Sequence, residues 1–265
     1  MPMKRIILFS TLFALLGFIP TEAVAGIRTI KGSGVMRTET REVGNYTGLK
    51  VSCGVEATIT EDIPGKLVVE ADEKIIAYVR TSVDKEGTLH LTLDPKGINN
   101  RNCDVRISVP KPETLRSVTA SSGSKVTSRT VVTTTTLNVR ASSGSEVEIA
   151  FAGDGCVLSA SSGAEIKANL SVGRCAIEAH SGAEVNAKGR AAACKISAMS
   201  GASCKARNLV TERTEARASS GSTIRITCNE TLEADASSGG SVSYWGDCRL
   251  INDKKSVSGS VSHKQ

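Results

Sequence analysis

Aromatic side chains are scarce in this chain. They make up 3% of its 265 residues, and beyond Ala25 only Tyr46, Tyr78, Phe151, Tyr244 and Trp245 remain. A core made without large rings must rely on small and β-branched side chains, which suits a thin space between close sheets better than a thick globular interior. No Cys-x-x-Cys pair occurs and the three histidines are dispersed, so no zinc site is expected. No run of five or six like charges accompanies the net charge of +6, which removes the usual footprint of a nucleic-acid binder. Neither a Gly-x-Ser-x-Gly elbow nor a phosphate-cradling Gly-Lys-Ser/Thr turn is present.

Long apolar runs are also lacking, with one exception at the start. Lys4 and Arg5 precede the apolar stretch Ile6–Ile19, then Pro20, then Ala23, Val24 and Ala25 before Gly26. A basic start, a short apolar stretch and small residues before a break describe a cleavable export signal over residues 1–25. The stretch falls short of the roughly 20 residues of a spanning helix. No second stretch of that length follows, so no membrane span is expected in the mature chain. No cysteine follows the cut, which argues against a lipid anchor. The expected location is the periplasm, the outer cell surface or the medium.

What the sequence has in abundance is a repeat. An Ala-x-Ser-Gly-x motif occurs at Ala120–Ser124, Ala141–Ser145, Ala160–Ala164, Ala179–Ala183, Ala198–Ala202, Ala218–Ser222 and Ala236–Gly240. A partial eighth copy surrounds Gly259. Its glycines, Gly123, Gly144, Gly163, Gly182, Gly201, Gly221, Gly239 and Gly259, are spaced 21, 19, 19, 19, 20, 18 and 20 residues apart. Between motif glycines, apolar and polar residues alternate: Val147, Ile149 and Phe151 after one glycine, Ile166, Ala168 and Leu170 after the next, with Leu137, Val139 and Ala141 before the glycine of the second motif. Alternation marks half-buried strands, two short ones per coil of about 19–20 residues. Like residues recur at like positions, as stacking about 4.8 Å apart in parallel demands and a hairpin meander does not. The expected fold is therefore all-β: a right-handed parallel β-helix, or solenoid, with Ser-Gly edge turns and a stack on the order of 35 Å long. The seven motif glycines and their serines are read as structural turn residues, because glycine accepts positive φ and serine hydroxyls cap tight turns.

The expected domain runs over residues 32–250, irregular over 32–112 and regular over 113–250, with a polar tail at 251–265. Residues 75–83 fit either a short helix or an irregular strand. Cys53-Gly54 looks like a degenerate copy of the turn. The irregular part either continues the stack or caps it, since an open solenoid end leaves strand edges unpaired. Tyr244-Trp245, in the last full coil, is read as part of a cap.

Eight cysteines in an exported chain raise the question of disulfides. Cys156, Cys175 and Cys194 are spaced 19 and 19 on one inward column and are read as a ladder of small core side chains. Cys204 and Cys228 also fall on inward positions. Cys53 with Cys103 and Cys228 with Cys248 are candidate pairs. For catalysis, a polysaccharide lyase or hydrolase on such a scaffold would need clustered carboxylates. Glu146, Glu165 and Glu184 stack on an outer face, with Lys167 and Lys188 near enough to make this an ordinary solvated surface. Asp154, Asp235, Asp247 and Asp253 are scattered, and His180 occupies an exposed turn position. No catalytic residue, cofactor or metal is expected.

The segments Gly32–Val35, Glu39–Val43, Tyr46–Thr60, Val69–Ile75 and Gly87–Leu89, together with the Ser-Gly turns, resemble the head GIN domain of auto-transporter adhesins over roughly residues 32–250. The resemblance implies a β-helix-like fold, export and a role in adhesion, and it supplies no catalytic residues. The reading is of a non-enzymatic surface module whose partner is an unidentified protein or glycan, with homo-oligomerisation open. The alternative is a protein that binds or degrades polysaccharide.

Overall fold

In a parallel stack each strand must bury one face against the opposite arm of its own coil, and the side chains that do so here are short. Val147, Ile166, Val185, Ile224 and Val242 line one inner column, and Val139, Leu158, Ile177 and Ile196 line the facing one, all fully shielded from solvent. Ala120, Ala141, Ala160, Ala179, Ala198, Ala218 and Ala236 fill the narrow wedge where the arms meet at the motif turn. In these seven motif turns the wedge holds no more than a methyl.

The computed structural model describes residues 30, 32–94, 104–255 and 258–265; for 252–255 it describes the backbone alone. The expected export signal and Cys103 lie outside these residues. Among the described residues, eighteen strands join into one sheet that winds as a β-solenoid of about seven turns. In the regular part these are β8 (Ser117–Ala120), β9 (Lys125–Thr133), β10 (Thr136–Ala141), β11 (Glu146–Ala160), β12 (Glu165–Ala179), β13 (Glu184–Ala198), β14 (Ser203–Ala218), β15 (Thr223–Ala236) and β16 (Ser241–Trp245). Neighbours pair in parallel with repeats superposed: Val147 lies opposite Ile166, Ile166 opposite Val185, Cys156 opposite Cys175 and Cys175 opposite Cys194. The two arms of a coil are not separate strands from β11 to β15. Pairing runs on through the second corner, giving single bent strands of 14 to 16 residues. Every coil bends at the same place, so the ladder has no reason to break there.

The motif turn is the sharper corner. Its third and fourth residues are both left-handed: Ser162 has φ 53° and Gly163 φ 69°, and the same pair recurs at each motif from Ser122-Gly123 to Ser238-Gly239. Two positive φ values in succession, closed by an amide of the fifth residue on the carbonyl of the second (Ala164 N to Ser161 O, 3.2 Å), make a type I′-like reversal. The turns stack as the strands do. The Gly123 amide donates to Ser143 O, Gly144 to Ser162 O, Gly163 to Ser181 O and Gly182 to Ser200 O, at 3.0–3.2 Å. Cys53 (φ 60°) and Gly54 (φ 73°) adopt the same corner, and the Gly54 amide donates to Ser122 O. The degenerate copy thus occupies its own place in the ladder.

The irregular first part both continues and caps the stack. β2 (Gly48–Val51) and β3 (Glu56–Thr60) form the coil below β8 and β9. The coil below that comes later in the chain, from β6 (Thr88–Leu93) and β7 (Val105–Pro110). The edge is then closed by antiparallel strands: β4 (Lys66–Asp72) on β7, β1 (Met36–Glu42) on β4, and β5 (Val79–Val83) on β6. Residues 75–83 are a short 3₁₀ turn, Ile76–Tyr78, leading into β5, and Ile75 and Ile76 plug the end of the core. Antiparallel partners end the parallel stack without leaving a parallel edge free to recruit another chain. At the other end, β17 (Arg249–Lys255) and β18 (Ser260–His263) pair in parallel with β15 and β16, so residues 251–255 and 260–263 contribute strand to the stack.

Candidate functional site: a basic groove around Trp245

Side chains that do not face the core form outer columns, and on the arm that follows the motif turn two such columns run side by side. One reads Lys125, Glu146, Glu165, Glu184, then Ser203, Thr223, Ser241. The other reads Thr127, Glu148, Lys167, Asn186, Lys205, Arg225, Ser243. Lysines of these columns pair with glutamates beside them. Lys167 reaches Glu146 at 2.8 Å and Glu165 at 3.3 Å, Lys125 reaches Glu146 at 3.0 Å, and Lys205 reaches Glu184 at 2.6 Å. The hydrogen bond from Lys167, assisted by Lys125, holds the Glu146 carboxyl below the usual carboxylate range. A general acid needs the opposite shift, towards neutrality near pH 7. The stacked glutamates thus form an ion-pair network with Lys125, Lys167 and Lys205; among the described residues Lys188 makes no ion pair.

The acidic column ends at Glu184 while the basic one continues, and this mismatch creates the site. Toward the end of the stack lies a groove of about 710 Å³ lined by Asn186, Lys205, Arg207, Asn208, Arg225, Ser243, Trp245, Lys264 and Gln265. No Asp or Glu side chain among the described residues lines it. Among the described residues, Arg207, Arg225 and Lys264 form no ion pair.

Arg207 owes its position to an irregularity. The register of β14 against β15 jumps between Ala206 and Val210, so Arg207–Leu209 drops out of the pairing with β15, while Asn208 and Leu209 stay opposite Lys188 and Gly189 of β13. Thr227 Oγ1 donates to the Arg207 carbonyl at 2.7 Å and pins the bulge. Bulges re-aim side chains, and this one lays the Arg207 guanidinium over the Trp245 ring, 4.6 Å from its centroid. Such a contact contributes about 0.5–1 kcal/mol at an exposed site. More to the point, it holds a planar fork of donors in one orientation. The last strand completes the groove. The His263 ring stacks on Tyr244 at 4.8 Å, its Nε2 lies 3.1 Å from Gly246 O, and the Lys264 amide donates to Tyr244 O at 2.8 Å. Lys264 is thereby delivered to the rim.

The aromatic pair therefore divides. Tyr244 points inward and is buried, whereas Trp245, one residue on, faces the groove. Strand alternation alone separates the two, and the 20-residue spacing from Gly201 to Gly221, against 19 before it, is the trace of the bulge that aims Arg207. Sequence reasoning passed over Arg207, Arg225 and Lys264, because no local motif joins residues from three coils.

The residues singled out from sequence fall elsewhere. Gly123, Gly144, Gly163, Gly182, Gly201, Gly221 and Gly239 all lie in the stacked corners with φ of 68–78°. Cys156, Cys175 and Cys194 form one buried column, continued by Thr214, and burial pushes the Cys156 thiol up to about 12. Cys204 and Cys228 are also buried, and the Cys248 thiol, pushed up to about 11 by burial and by Cys228, lies beside Cys228. No cluster of three or more His, Cys, Asp or Glu suited to a metal occurs among the described residues. Nor, among them, is any helix long and apolar enough to cross a membrane.

Known proteins of similar shape carry the same architecture. A crystal structure described as a "putative adhesin" from Parabacteroides merdae superposes with a TM-score of 0.83 at 14% identity, over 90% of this chain and 100% of that one. A "putative lipid binding protein" from Parabacteroides distasonis gives 0.81 at 17% identity, over 89% and 100%. A "putative adhesin" from Bacteroides fragilis gives 0.64 at 18% identity with the same coverage. At such identities the likeness establishes the fold alone. No curated protein matches the sequence. The model of one family, described as "Putative auto-transporter adhesin, head GIN domain", matches residues 45–248, most of the chain, and the protein belongs to that family.

Proposed function

We propose that the protein is an exported, non-catalytic adhesion module that binds an acidic glycan through the groove around Trp245. The observation that carries this reading is the set of three cations, Arg207, Arg225 and Lys264, gathered beside an aromatic ring with no carboxylate side chain among the described residues of the lining. Unneutralised guanidinium and ammonium groups demand anions, and guanidinium offers carboxylate or sulfate two parallel donors. Trp245 adds a flat apolar surface of the kind a sugar ring packs against. The rest of the molecule is a rigid spacer, since every coil is hydrogen-bonded to the next through both arms and the motif turn. Family membership supports the adhesive role and export.

The test is retention of the purified chain on immobilised polygalacturonate, with neutral dextran as the control and product analysis on both. Saturable binding to the acidic polymer is expected, weakening as salt rises, with a loss of about tenfold or more in Arg207→Ala and Arg225→Ala, in line with charge-assisted hydrogen bonds of about 1.5–3 kcal/mol each. Equal binding to dextran, unchanged binding by both variants, preferential binding to anionic vesicles, or release of shortened glycan would each overturn the proposal.

A further inference from the structure

The cysteine column offers a site independent of the groove. Cys175 and Cys194 sit directly opposite each other in the parallel ladder of β12 and β13, both close to fully buried. Their sulfurs face each other 2.6 Å apart, closer than unbonded sulfurs rest. Cys156 is in register with Cys175 from the coil before, yet makes no comparable sulfur contact among the described residues. In the structure both residues of the close pair are thiols. Parallel neighbours place their Cα atoms about 4.8 Å apart, inside the 4.4–6.8 Å range of native disulfides. Three equivalent cysteines therefore present one pair with both the register and the side-chain orientation for a bond.

We propose that Cys175 and Cys194 form a disulfide that staples successive coils of the solenoid. The chemistry is exchange with a donor disulfide, either a small molecule such as oxidised glutathione or the disulfide of an oxidoreductase. One thiol loses its proton and attacks a donor sulfur, giving a mixed disulfide and releasing one donor thiol. The second, deprotonated in turn, attacks the protein sulfur of that mixed disulfide and releases the other. The protein loses two electrons and two protons, and the donor disulfide takes them up as two thiols. The exchange belongs to folding, before β13 closes on β12. Once closed, the contact with Cys175, together with burial, raises the Cys194 thiol far above its ordinary range, and an un-ionised thiol is a poor nucleophile. The bond, once made, is shielded from reductant by the same burial.

Peptide mapping tests this directly, because trypsin separates the partners. Cleavage after Arg174, Lys188, Arg190 and Lys195 places them on the peptides Cys175–Lys188 and Ala191–Lys195, while Cys156 falls on Ala141–Lys167. The full chain is unfolded with reductant, refolded with oxidised glutathione, alkylated without reduction, digested and weighed; refolding in vitro makes the outcome independent of where the protein resides in the cell. The expected main species is Cys175–Lys188 joined to Ala191–Lys195, two hydrogens lighter than their sum, with Cys156 alkylated. In the folded state the link is expected to survive a reductant that opens it promptly in urea. Alkylated Cys175 and Cys194, or Cys175 joined instead to the Cys156 peptide, would overturn the proposal. Cys156→Ser serves as the second variant: the link is expected to be unchanged in it, and its loss there would overturn the assignment as well.

Discussion

The fifth residue of the motif turn is the place where a small change is most informative. In the second motif it is Ser145, 2% exposed, whose hydroxyl donates to the Ala120 carbonyl of the coil below at 2.9 Å and accepts the Ser142 amide at 2.9 Å. The Ser142 amide also lies 3.0 Å from the same Ala120 carbonyl. Ser145→Ala removes the hydroxyl yet leaves neither backbone group orphaned, because amide and carbonyl keep each other. The cost is then the net value of ordinary hydrogen bonds, about 1 kcal/mol, and not the larger penalty of a buried unsatisfied group. The equivalent positions Ala164, Ala183 and Ala202, each 1% exposed, show that the corner closes around a methyl. Ser145→Val differs: it loses the same bonds and also pushes methyls into a column occupied by Ser124 below and Ala164 above. Overpacking adds about 1–3 kcal/mol. Urea unfolding followed by circular dichroism measures both. The alanine variant should lower the midpoint by about 0.3–1 M with an unchanged slope, and the valine variant clearly more. Equal damage from the two substitutions, or a valine variant as stable as the parent, would refute the reasoning about the corner.

Glycines separate in the same assay. Gly163 has φ 69° and nothing within 4 Å of an added Cβ, so Gly163→Ala should cost only the left-handed penalty of about 1–2 kcal/mol. At Gly189 the φ is 108° and an added Cβ would lie 2.0 Å from Leu170 O, so Gly189→Ala has to displace the backbone of the preceding coil and should be far more damaging. The Glu146 carboxyl, lowered by its hydrogen bond from Lys167, stabilises the fold fully above the ordinary carboxylate pKa, and that contribution is lost as pH falls through the depressed folded value. Lys167→Met should therefore flatten the acid limb of stability against pH, an effect that fades in high salt.

Much of the architecture was written in the repeat. Seven Ser-Gly corners of near-constant period dictate stacked left-handed pairs, and like residues at like positions dictate the parallel register. Period-two alternation placed Cys156, Cys175 and Cys194 on the inside. The elements that were not legible are those without period. β6 and β7 lie below β2 and β3 although they follow them in sequence, an order set by contact with the end of the stack. The strand pairing through the second corner also left no mark, since Gly153, Val172 and their counterparts share no motif. The site was hardest to see: Arg207 reaches Trp245 through a bulge, and Arg225 and Lys264 join from other coils. Its negative half was easier, because the end of the glutamate column at Glu184 is visible in the repeat once the columns are aligned.

Trp245 is the single tryptophan of the chain and lies in the proposed binding groove, so its intrinsic fluorescence reports on that groove alone. Titration of the purified chain with a soluble uronic-acid oligosaccharide should give a saturable change in Trp245 emission, absent with a neutral oligosaccharide and abolished by Arg207→Ala. An emission spectrum that stays constant while an independent assay shows the acidic ligand bound would place the contact elsewhere on the solenoid and contradict the account.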